Sequence, residues 1–394
     1  MATATKKAAR GPLPGWVTGL LPIVLIAALG TVFLVLDPIG SLREVPPVEA
    51  ISFERTTLDP GRIELEVRND GPDPVTIAQV LVDDAYWNFS MSDRSLDRLQ
   101  SATIRIPYPW DEGLPLNIAL ITSTGLPIEH EIEVATETPE PDITTFWIYA
   151  LLGIYIGVIP VAVGLLWFPA LRRASKAWLG FFLAFTIGLL AFLLVDTVAE
   201  GLEIASETAS VLDGLGLFTL GAVIAVLGLT VLEGTLKRAR KMGRRLDGLT
   251  LAYLVAAGIG LHNLGEGLAV GAALAAGEIA LGTFLILGFA LHNTTEGLAI
   301  VAPLGGSRRP GLKHFVALGA LAGVPTILGT WGGGFAFSPA FGAVAFGIAA
   351  GAIAQVVWTI GRSLPREGSL GSGFGAAGFM VGLLVMYVTG LFTA

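Results

Sequence analysis

Residues 251–304 read LAYLVAAGIGLHNLGEGLAVGAALAAGEIALGTFLILGFALHNTTEGLAIVAPL. Within them only Glu266, Glu278 and Glu296 carry a formal charge, and no lysine or arginine interrupts the run. A helix needs about 20 apolar residues to cross the hydrocarbon of a bilayer, so this stretch predicts two membrane spans, near 249–274 and 278–303. Inside them lie His262-Asn263-Leu264-Gly265-Glu266-Gly267 and His292-Asn293-Thr294-Thr295-Glu296-Gly297. Ionisable side chains inside a span are costly, and they face the bundle interior or a pathway by default.

The spacing suits cation binding. His262 and Glu266 are four apart and share one helix face, with Asn263 at its flank. An imidazole nitrogen and a carboxylate stacked one turn apart can bind one divalent cation, and the amide oxygen can join them. The same arrangement returns 30 residues later at His292, Asn293 and Glu296. Two antiparallel neighbouring helices would pool six ligands. Gly260, Gly265, Gly267 and Gly271 allow the close backbone approach that small residues give membrane helices. A buried His–Glu pair that merely ties helices together would account for one such motif, but two copies at matched depth favour a binding site. Cysteine is absent. Donors are therefore imidazole, carboxylate, amide, hydroxyl or thioether, which suit zinc, iron(II) or manganese better than copper(I).

The rest of the chain extends the membrane reading. It is 53% hydrophobic and 14% charged, against about 25% charged in an average soluble protein. Nine spans are expected. The first, Leu13–Leu36, follows Lys6, Lys7 and Arg10; it is long for a signal peptide and no small-x-small cleavage site follows it. It reads as a retained anchor in a segment 1–40. The others lie near 143–168, 178–199, 211–236, 249–274, 278–303, 312–336, 340–361 and 372–393, within a domain 143–394. Arg172, Arg173 and Lys176 follow one span; Lys237, Arg238, Arg240, Lys241, Arg244 and Arg245 another; Arg308, Arg309 and Lys313 a third; Arg362 and Arg366 a fourth. The alternate loops, around 203–210, 275–278 and 337–339, contain no lysine or arginine. Basic loops mark the cytoplasmic side. The expected place is thus the cell membrane, with the N-terminus in the cytoplasm and the C-terminal Phe392-Thr393-Ala394 outside.

Residues 41–142, also outside on this reading, hold 20 acidic and 7 basic residues. Ile63, Leu65 and Val67 alternate with Glu64, Glu66 and Arg68; Ile104 and Ile106 alternate again, as do Ile128, Ile132 and Val134 among Glu129, Glu131 and Glu133. Such alternation between Pro/Gly/Asp turns predicts a small antiparallel β-sandwich, with Tyr86, Trp87 and Phe89 as core aromatics. The acidic surface is a solvated face or a means of raising cation concentration at an entrance. His130 is expected to be a surface residue rather than a ligand, and His314 a solvated loop histidine. Asp196 and Glu200, four apart, form a possible entrance; Glu203 belongs to the outer surface. Gln355, one turn from Thr359, and Thr326 are possible auxiliaries.

At the two motifs the sequence resembles the ZIP family of divalent metal-ion transporters, particularly its prokaryotic members. The resemblance covers about 143–394. It implies an all-α eight-helix membrane bundle, arranged as three helices, a central pair bearing the motifs and three more in inverted relation, with both ends of the core outside. It would make His262, Glu266 and Glu296 central ligands, with Asn263, His292 and Asn293 completing one or two metal positions. It further implies a homodimer that carries metal toward the cytosol by shifting the central bundle. The family's usual proline before the glutamate is Gly265 in one copy and Thr295 in the other, and Thr326 stands where many bacterial members have a further glutamate. The loop between the fourth and fifth spans is basic rather than histidine-rich, and the anchor and β domain lie outside the family's minimal core. The expectation is a carrier, not an enzyme, for zinc first and iron(II), manganese or cadmium next, with the bilayer as partner and no nucleic acid. The rivals are an intramembrane metal-dependent hydrolase, though His-Glu-x-x-His is absent, and a metal sensor that signals through the β domain.

Overall fold

Apolar runs become helices and alternating runs become strands in a computed structural model, which describes residues 15–36, 47–132, 134–239, 247–276, 279–305, 310–364 and 369–391. Lys6, Lys7, Arg10, Glu133, Arg240, Lys241, Arg244, Arg245, Arg308, Arg309, Arg366 and Phe392-Thr393-Ala394, used in the sequence reading, lie outside these residues, as does the boundary expected at 40. The chain divides into two units, 1–48 and 49–394. The first contains α1, Gly15–Leu36, the expected anchor. Its described apolar side chains, from Leu20 to Leu36, are exposed all round, as suits a helix that meets hydrocarbon on every face.

The second unit begins with nine strands: β1 Ile51–Asp59, β2 Arg62–Asn69, β3 Val75–Val82, β4 Ala85–Trp87, β5 Ser90–Met91, β6 Ser95–Leu96, β7 Ser101–Ile106, β8 Leu116–Thr122 and β9 Pro127–Ile132. They form two antiparallel sheets, β1-β2-β7-β5 and β4-β3-β8-β9, with β6 on β3. Period-two alternation turns alternate side chains to one face. Ile63 and Leu65 of β2 therefore lie opposite Ile106 and Ile104 of β7 and share one buried core with Val80, Val82, Ile118 and Leu120 of the other sheet. The turn at Asp59-Pro60-Gly61 is closed by Gly61, whose φ of +74° suits glycine best.

Register corrects one sequence expectation and refines another. Tyr86 pairs with outward-facing Leu81 and is 70% exposed; Trp87 pairs with inward-facing Val80 and, like Phe89, packs against the core. His130 pairs with buried Ile118, stacks on Phe53 at 4.4 Å and lies 2.8 Å from Thr56 Oγ1, so it is half-buried at the sheet edge. Burial lowers its pKa.

Among the described residues, eight helical segments are long and apolar enough to cross a membrane, which suits a multi-pass membrane protein. The first, Ile143–Arg172, is broken into α2 Ile143–Gly153, a π-helical turn Ile154–Val158, α3 Ile159–Leu165 and α4 Phe168–Arg172. Then come α5 Lys176–Glu207, α6 Gly214–Ala239, α7 Gly248–Ala275, α8 Ile279–Val301, α9 Leu312–Ala336, α10 Pro339–Ser363 and α11 Gly373–Gly390. Short polar side chains start five of the spans by accepting a first-turn N–H: Asp142, Ser175, Asp247, Ser338 and Ser372.

Close packing sets α7 on α9 and α3 on α8. A methyl at Gly267 would come 2.2 Å from the Thr326 carbonyl, and one at Gly297 would come 2.3 Å from the Val161 carbonyl. Gly260 and Gly271 approach α9 as closely, whereas a methyl at Gly265 would meet Phe346 at an ordinary 3.6 Å.

The strands sit against one end of the bundle. Arg55 Nη1 donates to the Phe335 carbonyl at 3.1 Å. The Asp70 carboxylate accepts the N–H groups of Ser210 and Val211 at 2.7 and 2.8 Å. Between strands and bundle lies a cavity of about 1030 Å³ whose lining includes Glu131, Glu203, Glu207, Ala276 and Phe337. The β domain thus meets the end formed by the three loops that lack lysine and arginine.

Candidate metal centre

The centre begins with two prolines. Pro160 has no N–H to give the carbonyl of Ile156, four residues back, and the π turn loosens the same segment. Asn293 Nδ2 of α8 donates to Ile156 O at 3.0 Å. In α9, Pro325 removes one N–H from the helix interior, and Asn263 Nδ2 of α7 donates to the Ala322 carbonyl at 3.1 Å. Each motif asparagine therefore docks its helix onto the backbone of another helix beside a proline, and the two motifs behave as counterparts.

This docking turns the ionisable groups inward. His262, Asn263, Glu266, His292, Asn293 and Glu296 are all buried. Glu266 is the hub. Its Oε1 lies 3.0 Å from His262 Nε2 and also hydrogen-bonds His292 Nε2. Its Oε2 accepts from Asn293 Nδ2 at 2.7 Å. One donor atom each from His262, Glu266 and His292 lies within 4.8 Å of the other two. A cation with bonds of about 2.0–2.2 Å spans at most about 4.4 Å between two ligands, so the three side chains readjust to hold one.

Thr197 of α5 orients the first imidazole. Its hydroxyl donates to the Leu193 carbonyl at 2.7 Å and lies 3.1 Å from His262 Nδ1. With Nδ1 donating to Thr197, the Nε2 proton now shared with Glu266 is the one a metal ion would displace. Such outer partners are a regular part of metal–histidine sites. The sequence reading missed Thr197; its only signal was a threonine beside Asp196 within a span.

Around the hub are oxygens without a hydrogen bond: Asn263 Oδ1, Asn293 Oδ1, both carboxylate oxygens of Glu296, and Thr326 Oγ1. Glu296 comes close to Asn263 and Glu266, but neither of its oxygens makes a bond of good geometry. Buried polar oxygens in native proteins are almost always satisfied, and a buried carboxylate without a partner is strongly destabilising. A cation is the partner that fits such a set of oxygens. Thr326 is buried beside the motifs, its hydroxyl against Gly157.

Gln355 belongs elsewhere. With Thr359 it joins Glu233 of α6, at 3.5 and 3.0 Å from Glu233 Oε2. Lys237 and Arg362 complete this second buried cluster. The cluster ties α6 to α10 and its charges are mutually paired. Glu233, a carboxylate alone in an apolar run one turn before Lys237, was its sequence signal. His314 is half-buried, with its Nδ1 3.0 Å from the Tyr253 hydroxyl.

The possible entrance residues lie on α5. Asp196, Glu200, Glu203 and Glu207 follow one another at steps of four, three and four, which keeps them on one helix face. Asp196 is exposed and Glu200 half-buried. The Glu200 charge feels Asp196, Glu203 and Glu266, while Glu203 and Glu207 line the large cavity. The acidic face therefore runs from the cavity toward the hub.

No protein-family model and no curated protein matches the chain. The chemistry rests on its own residues: a membrane-type bundle with a buried His/Glu/His group that could bind a metal ion.

Proposed function

We propose that this protein carries divalent metal ions across the cell membrane toward the cytoplasm, as a ZIP-like transporter. The observation that carries the reading is the convergence of His262, Glu266 and His292 within 4.8 Å, deep in an eight-span bundle and ringed by unbonded oxygens. Two imidazoles and carboxylates select borderline cations; zinc is the first candidate, with iron(II), manganese and cadmium next. A structural ion pair would leave no oxygens over, and Glu296 leaves two.

In this reading the cation collects in the cavity beneath the β domain and moves along Glu207, Glu203, Glu200 and Asp196. It exchanges its water for the hub. His262, Glu266 and His292 bind first, with Glu296, Asn263 and Asn293 completing the shell. Neutral imidazole and ionised carboxylate are required, so loading releases protons and weakens in acid. Sites near mid-bilayer between paired helices suit alternating access. The basic loops would lie in the cytoplasm, and release would occur there. A second copy of the chain completes a homodimer.

The test is influx of zinc, iron(II), manganese and cadmium into proteoliposomes holding the pure protein, beside Glu266→Ala/Glu296→Ala. Saturable influx that the variant loses supports transport. Metal bound at the hub with no influx sinks it and brings forward a sensor or an intramembrane hydrolase.

A further inference from the structure

A second cavity, about 700 Å³, opens at the basic end of the bundle between α3–α4 and α9. Leu165, Phe168 and Gly319 are buried at its floor, and Ala162, Val316 and Ala320 are exposed on its walls. The lining runs along α9 from Leu312 to Val324, about 18 Å at the helical rise of 1.5 Å per residue. One leaflet of hydrocarbon is about 15 Å deep. The groove therefore has the length of one acyl chain.

Among the described residues its charged lining is Arg172 and Arg173. Both are exposed, and among the described residues neither guanidinium has an ion pair or hydrogen bond. The occupant must be apolar along its length and anionic at one end. The anchor helix α1 carries no charge and cannot answer the arginines. A second copy would have to bring a carboxylate to this end. The described ones there are committed, Glu233 to Lys237 and Thr359 and Asp247 to the start of α7. Guanidinium groups pair well with phosphate oxygens, and basic pockets between membrane helices hold anionic headgroups.

We infer that this groove holds one anionic phospholipid, its acyl chain laid along α9 and its phosphate between Arg172 and Arg173. The inference needs the membrane reading but not transport. It puts a lipid on the outer side of α9, the helix whose inner side packs on α7.

The test is native mass spectrometry of the full chain in micelles with equal phosphatidylglycerol and phosphatidylcholine. One phosphatidylglycerol should be retained in preference to phosphatidylcholine, with a bias of about fivefold for each arginine. Arg172→Gln/Arg173→Gln should erase the bias. Ala162→Phe/Ala320→Phe, which fills the groove from its walls, should lose the lipid whatever its headgroup. If the Phe variant does not fold, the surface arginine pair still decides. An unchanged bias in the arginine variant overturns the proposal. So does displacement by excess inorganic phosphate, because the acyl groove would then add nothing. A wild-type dimer that the Phe variant dissociates gives the groove to a second copy and also overturns it.

Discussion

Thr197 Oγ1 lies 3.1 Å from His262 Nδ1 while giving its own proton to the Leu193 carbonyl at 2.7 Å. That pair of bonds holds the His262 ring with its Nε2 toward Glu266, where a metal ion would take the place of the Nε2 proton. Removing such an outer partner costs 10–100-fold in metal affinity at comparable sites. Thr197→Val is isosteric and should weaken zinc binding by about tenfold, whereas Thr197→Ser should restore it. Competition with a chromophoric chelator reads both. Equal affinity in all three proteins removes Thr197 from the site.

Glu266 and Glu296 should behave differently. Glu266 joins two imidazoles and an amide; Glu296 has neither oxygen bonded. Zinc at about 100 times its Kd should stabilise the wild type by about 2.7 kcal/mol. Glu266→Gln should lose most of that and also unfold earlier without metal, since the network loses its charge. Glu296→Gln should lose zinc stabilisation yet be no less stable without metal, because it removes a buried carboxyl whose oxygens have no hydrogen bond. Melting curves with and without zinc separate the two. A Glu296→Gln protein still fully stabilised by zinc would exclude that side chain from the shell.

The β domain should carry a pH signature of its own. His130 is half-buried against Phe53, and burial alone lowers its pKa below the ordinary 6.5. The unfolded chain then binds more protons than the folded one just below pH 6.5. The histidine's contribution to stability is thus present above that pH and falls away as pH drops through the folded pKa. The protection factors of the β1 and β9 amides, with the intrinsic pH dependence of exchange taken out, should fall on acidification in the wild type, and His130→Gln should remove that histidine-linked part of the pH dependence. The same acid response in both proteins would assign it to other groups.

Much of this architecture was legible in the sequence because the membrane imposes strict rules. Span length, basic loops and a repeated His-Asn-x-x-Glu-Gly follow directly from hydrocarbon thickness and the cost of buried charge. The strand alternation located the buried core of Ile63, Leu65 and Ile104. What escaped depends on register and on contacts between distant spans. Tyr86 faces outward because it pairs with Leu81, which composition cannot reveal. Thr197 reaches His262 across 65 residues of sequence. Gln355 and Thr359 looked like an echo of the motifs at one-turn spacing, but their partner is Glu233 on another helix. Spacing within a helix names a face without saying what that face meets.

Asp70 offers the cleanest probe of how the β domain is held. Its carboxylate caps Ser210 and Val211 at 2.7 and 2.8 Å, the start of the short 3₁₀ turn Ser210–Leu212 between α5 and α6. The second hold is Arg55 on the Phe335 carbonyl at the end of α9. One join therefore grips the α5–α6 loop and the other the helix behind α7, so the domain bridges two parts of the bundle. Loss of a cap costs about 0.5–2 kcal/mol. Asp70→Ala should speed exchange of the Ser210 and Val211 amides by about 2- to 30-fold, the equivalent of that cost. The β2 and β7 amides, which pair within their own sheet, should keep their rates. If acceleration spread through the whole sheet, Asp70 would be holding the domain's fold rather than its seat. If neither set changed, the carboxylate would not be gripping the loop in the membrane-embedded protein, and the bridge would rest on Arg55 alone.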